Sequence, residues 1–81
     1  MNIYAGNLHY DLTEDELKSV FAEYGDVVSV KIITDKYSGR SKGFGFIEMA
    51  NNSDGQKAIE SLNGADLKGR NMKVNQAKER Q

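Results

Sequence analysis

Lys42-Gly43-Phe44-Gly45-Phe46-Ile47-Glu48-Met49 is the stretch from which the rest of this chain can be read. Side chains two apart on a strand share a face, so Phe44 and Phe46 project together, with Lys42 on the same side. The inverted alternation would turn Ile47 and Met49 outward and drive Lys42 and Glu48 into a core as unpaired charges. The rings therefore face outward. An exposed row of one cation and two large rings is unfavourable on a surface that meets only water. It suits a surface that stacks bases and steadies the phosphate between them.

Working outward, Asn2–Asn7 reads as a short strand with Ile3 and Ala5 inward and Tyr4 outward. Thr13-Glu14-Asp15-Glu16 has the form of a capping box, flanked by Leu12 and Leu17 as a hydrophobic staple. The three acids of that first turn suit the positive end of a helix dipole. The spacing of Leu17, Val20, Phe21 and Tyr24 predicts a helix to about Tyr24, ended by Gly25. Val27–Thr34 is β-branched and reads as a second strand, with Val30 and Ile32 inward and Lys31 and Ile33 outward. Asp35–Ser41 is a polar loop leading into the aromatic strand. Ser53 with Gln56 resembles a second capping box, opening a helix that buries Ala58, Ile59 and Leu62 and stops near Asn63-Gly64. Asn-Gly can also form a hairpin turn, but the helical pattern just before it favours a helix stop. Leu67 leads to a last strand, Met72–Ala77, with Met72 and Val74 inward and Lys73 and Asn75 outward.

The order strand, helix, strand, strand, helix, strand predicts an α+β domain: a ferredoxin-like βαββαβ sandwich with a four-stranded antiparallel sheet and both helices on one face. One sheet face is then covered and the other open. The first and third strands lie side by side, which brings Tyr4 to Phe44 and Phe46. At 81 residues the chain is expected to be a single domain, residues 1–81 with a core of about 2–78.

Net charge is −1, but its distribution is uneven. Residues 1–26 carry six acids and one base, a balance of −5, while residues 27–81 carry ten bases and six acids, a balance of +4. A polyanion senses the local field, so the asymmetry matters more than the total, and a few neutralised phosphates imply modest affinity. The absence of cysteine excludes disulfides and cysteine zinc sites. His9, the single histidine, has no cluster to join as a metal ligand and reads as a loop residue. No metal and no cofactor is expected. Neither a signal peptide nor a transmembrane helix is visible, so a cytoplasmic location without membrane contact is expected. Asn51-Asn52-Ser53 matches a glycosylation sequon, but without a secretory leader it reads as a loop with a helix cap.

The octapeptide closely follows the pattern K/R-G-F/Y-G/A-F-V-x-F/Y up to its last residue, where Met49 replaces an aromatic. Ile3-Tyr4-Ala5-Gly6-Asn7-Leu8 is similar to the shorter of two ribonucleoprotein motifs. The chain thereby resembles the RNA recognition motif (RRM) family, and in particular small single-domain RNA-binding proteins of bacteria and some plant organelles. The resemblance implies that Tyr4 and Phe44 stack on neighbouring bases, that Phe46 packs between sugars and that Lys42 contacts phosphate. It also implicates Asn7 and, on and after the last strand, Asn75, Gln76 and Lys78. Lys31, Arg40, Lys73 and Arg80 are further candidates for backbone contact. The two departures, Ala5 and Met49, both fall on the buried face, where a flexible thioether can replace a ring. Tyr10 and Tyr37 lie in loops, able to stack or to cover the sheet edge, with covering slightly favoured for Tyr37. Glu48 would repel phosphate yet could accept from a base amino group.

The resulting expectation is a non-catalytic protein that binds single-stranded RNA, with single-stranded DNA as the alternative polymer. The resemblance suggests work in post-transcriptional regulation or RNA chaperoning, with a monomer as the default state. An enzyme is disfavoured because neither a phosphate-cradling loop at a helix start nor a paired-carboxylate site is visible. The rival reading is a protein-interaction module that uses the sheet or the acidic first helix to hold a protein partner.

Overall fold

The computed structural model describes residues 1–77. Its elements, in order, are strand β1 (Asn2–Gly6), helix α1 (Glu14–Ala22), strands β2 (Val27–Thr34) and β3 (Ser41–Met49), helix α2 (Asn52–Leu62), and strands β4 (Asp66–Leu67), β5 (Arg70–Asn71) and β6 (Lys73–Gln76). Four of the strands form one antiparallel sheet in the order β2-β3-β1-β6. The ferredoxin-like βαββαβ arrangement expected from the sequence is therefore the fold.

The first helix begins where its sequence says it should. The Glu16 amide donates to the Thr13 hydroxyl at 3.1 Å, and the Thr13 amide donates back to the Glu16 carboxylate at 3.1 Å. Leu12, Leu17 and Phe21 are buried against the sheet. The regular helix ends at Ala22, two residues before the expected Tyr24, and the Tyr24 amide closes a last turn onto the Phe21 carbonyl at 3.0 Å.

The second helix starts at a different cap from the one expected. Asn51, not Ser53, occupies the cap position, and its Oδ1 accepts from the Ser53 amide at 2.9 Å and the Ser53 hydroxyl at 2.6 Å. Both residue types cap well. The end of β3 decides between them: the Ala50 amide donates to the Asp26 carbonyl, fixing where the chain turns. The helix does stop at Leu62, before Asn63-Gly64, as its pattern indicated.

A small hairpin was not anticipated. Residues β4 and β5 pair across Lys68-Gly69, whose φ values of 55° and 86° are both positive, as a two-residue hairpin turn of the primed kind requires. Lys68 Nζ lies 3.0 Å from Glu16 Oε1, which ties the hairpin to α1. The Lys68 ammonium, with the Thr13 amide, holds the Glu16 carboxyl below its ordinary range. A depressed folded-state value means that the carboxylate's stabilisation is full above the unfolded value and is lost as pH falls through the folded one. We therefore predict that Lys68→Gln is less stable than wild type at neutral pH, and that urea midpoints of the two converge in acid. A gap that persists unchanged in acid would show that the ion pair is not its cause.

In the sheet, Ile3, Ala5, Ile47, Met49 and Val74 point to the helices and are buried with Phe21 and Ala58. Ala5 and Met49 both lie in this layer, as alternation required. Register places Tyr4 opposite Phe46 on one side and Asn75 on the other, and Lys31 opposite Phe46. The outer edge of β2 is partly closed by α1: the Ile32 amide donates to Glu14 Oε2 at 2.9 Å. One acid of the first turn thus serves the sheet edge.

Candidate nucleic-acid interface

The face of the sheet away from the helices is a set of cross-strand rows. Its middle row runs Lys31, Phe46, Tyr4, Asn75 across β2, β3, β1 and β6. On one side lies the row of Ser29, Glu48 and Asn2, and on the other Gly6 stands opposite Lys73. Such an array follows from alternation alone once the strands are in register.

Tyr4, Phe44 and Phe46 form a triangle. Ring centroids lie 6.1 Å apart for Tyr4–Phe44, 5.8 Å for Tyr4–Phe46 and 6.2 Å for Phe44–Phe46. The two phenylalanines meet edge to face at 89°. These are favourable aromatic geometries, and the rings brace one another. Phe46 is the most open of the three at 40% exposure, whereas Tyr4 and Phe44 are half-buried. The Tyr4 ring lies back over Gly6, where an added Cβ would stand 2.5 Å from its hydroxyl. Beside Phe46 is a recess of about 500 Å³ lined by Asn2, Ser29, Lys31, Phe46 and Glu48.

Two cations stand in the rows of this face, Lys31 opposite Phe46 and Lys73 opposite Gly6. Lys42 is exposed on β3, but two extra residues on β3 between the Ile32–Gly45 and Thr34–Ser41 pairs, with Gly43 at a φ of 84°, interrupt the alternation that was expected to align it with Phe44 and Phe46. Arg40 is exposed in the loop before β3. That loop is built on Asp35, whose carboxylate accepts from the amides of Tyr37 at 2.8 Å and Ser38 at 3.1 Å. Those amides, Ser38 first, with a smaller contribution from nearby Lys42, hold the Asp35 carboxyl below its usual range. Tyr37, at the loop's tip, is 92% exposed and so does not cover the sheet edge as expected.

Three candidates are placed differently from the rings. Both polar ends of the Asn7 side chain are engaged: its amide donates to the Asn71 carbonyl at 2.8 Å, and its carbonyl accepts from Arg70 at 3.2 Å. Asn7 fastens the β4–β5 hairpin to the end of β1. Gln76 stands opposite Ile3, so its position belongs to the helix side of the sheet and not to the side of Tyr4. Lys78, like Arg80, lies outside the described residues. His9 is a loop residue whose Nδ1 accepts from the Asp11 amide at 3.0 Å and whose ring stacks on Tyr10 at 4.7 Å.

Ser29 and Asn2 were not among the expected site residues, although both line the recess. The signal was available, since each lies two positions before an outward residue, Lys31 or Tyr4. On α1, two acids that could have met a protein partner are occupied within the fold, Glu14 by Ile32 and Glu16 by Thr13 and Lys68. No helix among the described residues is long and apolar enough to cross a membrane.

Known proteins are similar to this chain over most of its length. RbpB of Nostoc sp., named as an RNA-binding protein, is 52% identical over 81 residues, covering all of this chain and 79% of that one. RbpA of Synechocystis sp., similarly named, is 51% identical, covering all of this chain and 80% of that one. Among solved structures, the crystal structure of RNA-binding protein PG1 matches with a TM-score of 0.96 at 46% identity, over 100% of this chain and 98% of that one. The Rna15 RRM with bound RNA (GU) matches with a TM-score of 0.87 at 32% identity, over 96% and 83%. The sequence model of the RNA recognition motif matches residues 3–73, and the chain belongs to that family.

Proposed function

We propose that the open sheet face binds single-stranded RNA without catalysis, by stacking bases on its rings and contacting phosphates with the surrounding cations. The observation that carries this reading is the triangle of three mutually braced rings on an uncovered face, with Lys31 opposite Phe46 and Lys73 opposite Gly6. Rings in that position stack on unpaired bases, which a duplex would keep in its own stack. Tyr4 and Phe46 stand directly opposite each other, and Phe46 is the most exposed ring, so these two are the base platforms. Phe44 is more covered and packs against the sugars between them. This exchanges the roles that family resemblance suggested for Phe44 and Phe46. Asn75, opposite Tyr4, is placed to read the edge of the base stacked there. The domain acts as one unit in post-transcriptional regulation or RNA chaperoning.

Two or three stacks with a few phosphate contacts predict affinity on the order of micromolar after association costs. Titration of a labelled mixed-sequence RNA across a salt series should give a log–log slope of about 1.5 to 3, as two to four contacts on a single strand release counterions. Absence of binding at low salt, or equal affinity for a duplex of the same sequence, would overturn the reading. A parallel titration of single-stranded DNA reads the contribution of 2′-hydroxyl contacts.

The packing of Tyr4 over Gly6 allows a subtler test. In Gly6→Ala the new methyl group occupies the space of the tyrosine ring, and the flexible ring, not the backbone, gives way. We predict a loss of RNA affinity of up to about tenfold, a modest stack's worth, with little change in stability. Unchanged affinity would show that the resting position of Tyr4 is immaterial to binding.

A further inference from the structure

The aromatic face carries a carboxylate that stacking does not need. Glu48 follows Phe46 by two residues on β3 and shares its face, standing opposite Ser29 on β2 and Asn2 on β1. Lys31 is opposite Phe46, which makes it a diagonal neighbour of Glu48. Side chains on such a diagonal are about 7–8 Å apart at their origins, within reach of each other for long residues. They are nevertheless not paired: the ion pair found among the described residues is Lys68–Glu16. Instead, Glu48 and Lys31 both border the recess of about 500 Å³ beside the Phe46 ring. An anion facing incoming phosphates weakens binding unless the ligand gives it hydrogen-bond donors.

We propose that this recess reads one base and selects guanine, a step that rests on the face being an RNA-binding surface. A base stacked on Phe46 can turn its pairing edge toward Glu48 and Lys31. A carboxylate has two oxygens that accept and none that donates, and an ammonium only donates. Guanine alone presents two adjacent donors, N1–H and the 2-amino group, with the O6 acceptor beside them. Glu48 takes the two donors and Lys31 donates to O6. Adenine and cytosine offer one amino group, and uracil one imino group, so each leaves one carboxylate oxygen without a donor from the base. The rings then supply affinity for any strand, and the Glu48–Lys31 pair supplies the choice of base.

The test uses six-nucleotide uridine RNAs in which one central position is uridine, adenosine, cytidine, guanosine or inosine, titrated against the whole chain at fixed salt. The guanosine oligomer should bind about tenfold tighter than the uridine, adenosine and cytidine ones, the low end of discrimination by a bidentate pair. Inosine, which lacks the 2-amino group, should lose most of that preference. Glu48→Gln, which replaces one acceptor by a donor, should abolish the preference for guanosine over the other bases, with circular dichroism confirming the fold. Equal binding of all five by wild type, with Phe46→Ala losing them all, would overturn guanine selection and leave the RNA-binding reading standing. A preference that survives Glu48→Gln, or one for another base, would also overturn it. Failure of wild type to bind any of the five would overturn both.

Discussion

Replacing Phe44 and Phe46 together by alanine is expected to lower affinity for single-stranded RNA by about a hundredfold or more while the domain stays folded. Losing the base stack on Phe46 costs roughly 1–3 kcal/mol, about fivefold to 150-fold, and losing the contact of Phe44 with the sugars adds to it. The effects will not simply add, because the two rings touch edge to face at 6.2 Å and Tyr4 leans on both. Removing them also leaves Tyr4 without its neighbours, which pushes the double variant toward the larger loss. Stability should change little, since both rings lie on the face away from the buried layer of Ile3, Ile47 and Phe21. Anisotropy titration of both proteins at one salt concentration, with circular dichroism on each, checks this. A folded double variant that binds as tightly as wild type would remove the aromatic face as the RNA site and direct attention to protein partners.

The second large effect concerns stability and falls on the glycine between those rings. Gly45 stands opposite Ile32 on β2 and Ala5 on β1. A Cβ at Gly45 would lie 2.5 Å from the Lys31 carbonyl oxygen and 3.0 Å from the Ile32 Cα. Both obstacles are backbone, in a strand whose register shifts between Ile32 and Thr34, so relief requires moving β2 itself. We predict that Gly45→Ala destabilises the domain by about 3 kcal/mol, the upper part of the range for overpacking. Gly39→Ala is the comparison: its Cβ meets nothing within 4 Å, and its cost is the positive φ of 73°, about 1 kcal/mol. Urea unfolding of the three proteins measures both differences. Equal stability of Gly45→Ala and wild type would mean that β2 yields easily at that point. The motif glycine thus keeps two strands close, whereas the rings on either side stand on the open face.

That division marks how far the sequence is legible. The alternation of Phe44–Met49 and the apolar stripe of α1 are local patterns with periods of two and 3.6 residues, and the capping box at Thr13 is equally local. They suffice to assign each element, and they sort Tyr4, Phe44 and Phe46 from Ile3, Ile47 and Met49. Element order with short connections then leaves few topologies, so the open face and its rings follow. Local pattern could not choose between Asn51 and Ser53 as the second cap, because both are favoured capping residues two positions apart. Nor could it show the β4–β5 hairpin, whose strands are two residues long and too short for any periodicity.

The βαββαβ order, the family and the side of the sheet on which the rings stand can all be read along the chain. Which neighbours each candidate meets comes from the packed fold. It engaged Asn7 with Arg70 and Asn71, and set Glu14 against the edge of β2. It also gathered Asn2, Ser29, Lys31 and Glu48 around Phe46. The physical reason is one of range. Which face a side chain takes is set by its own strand's pleat, but what stands across from it is set by register between strands distant in sequence. That register is fixed only when the core beneath them packs.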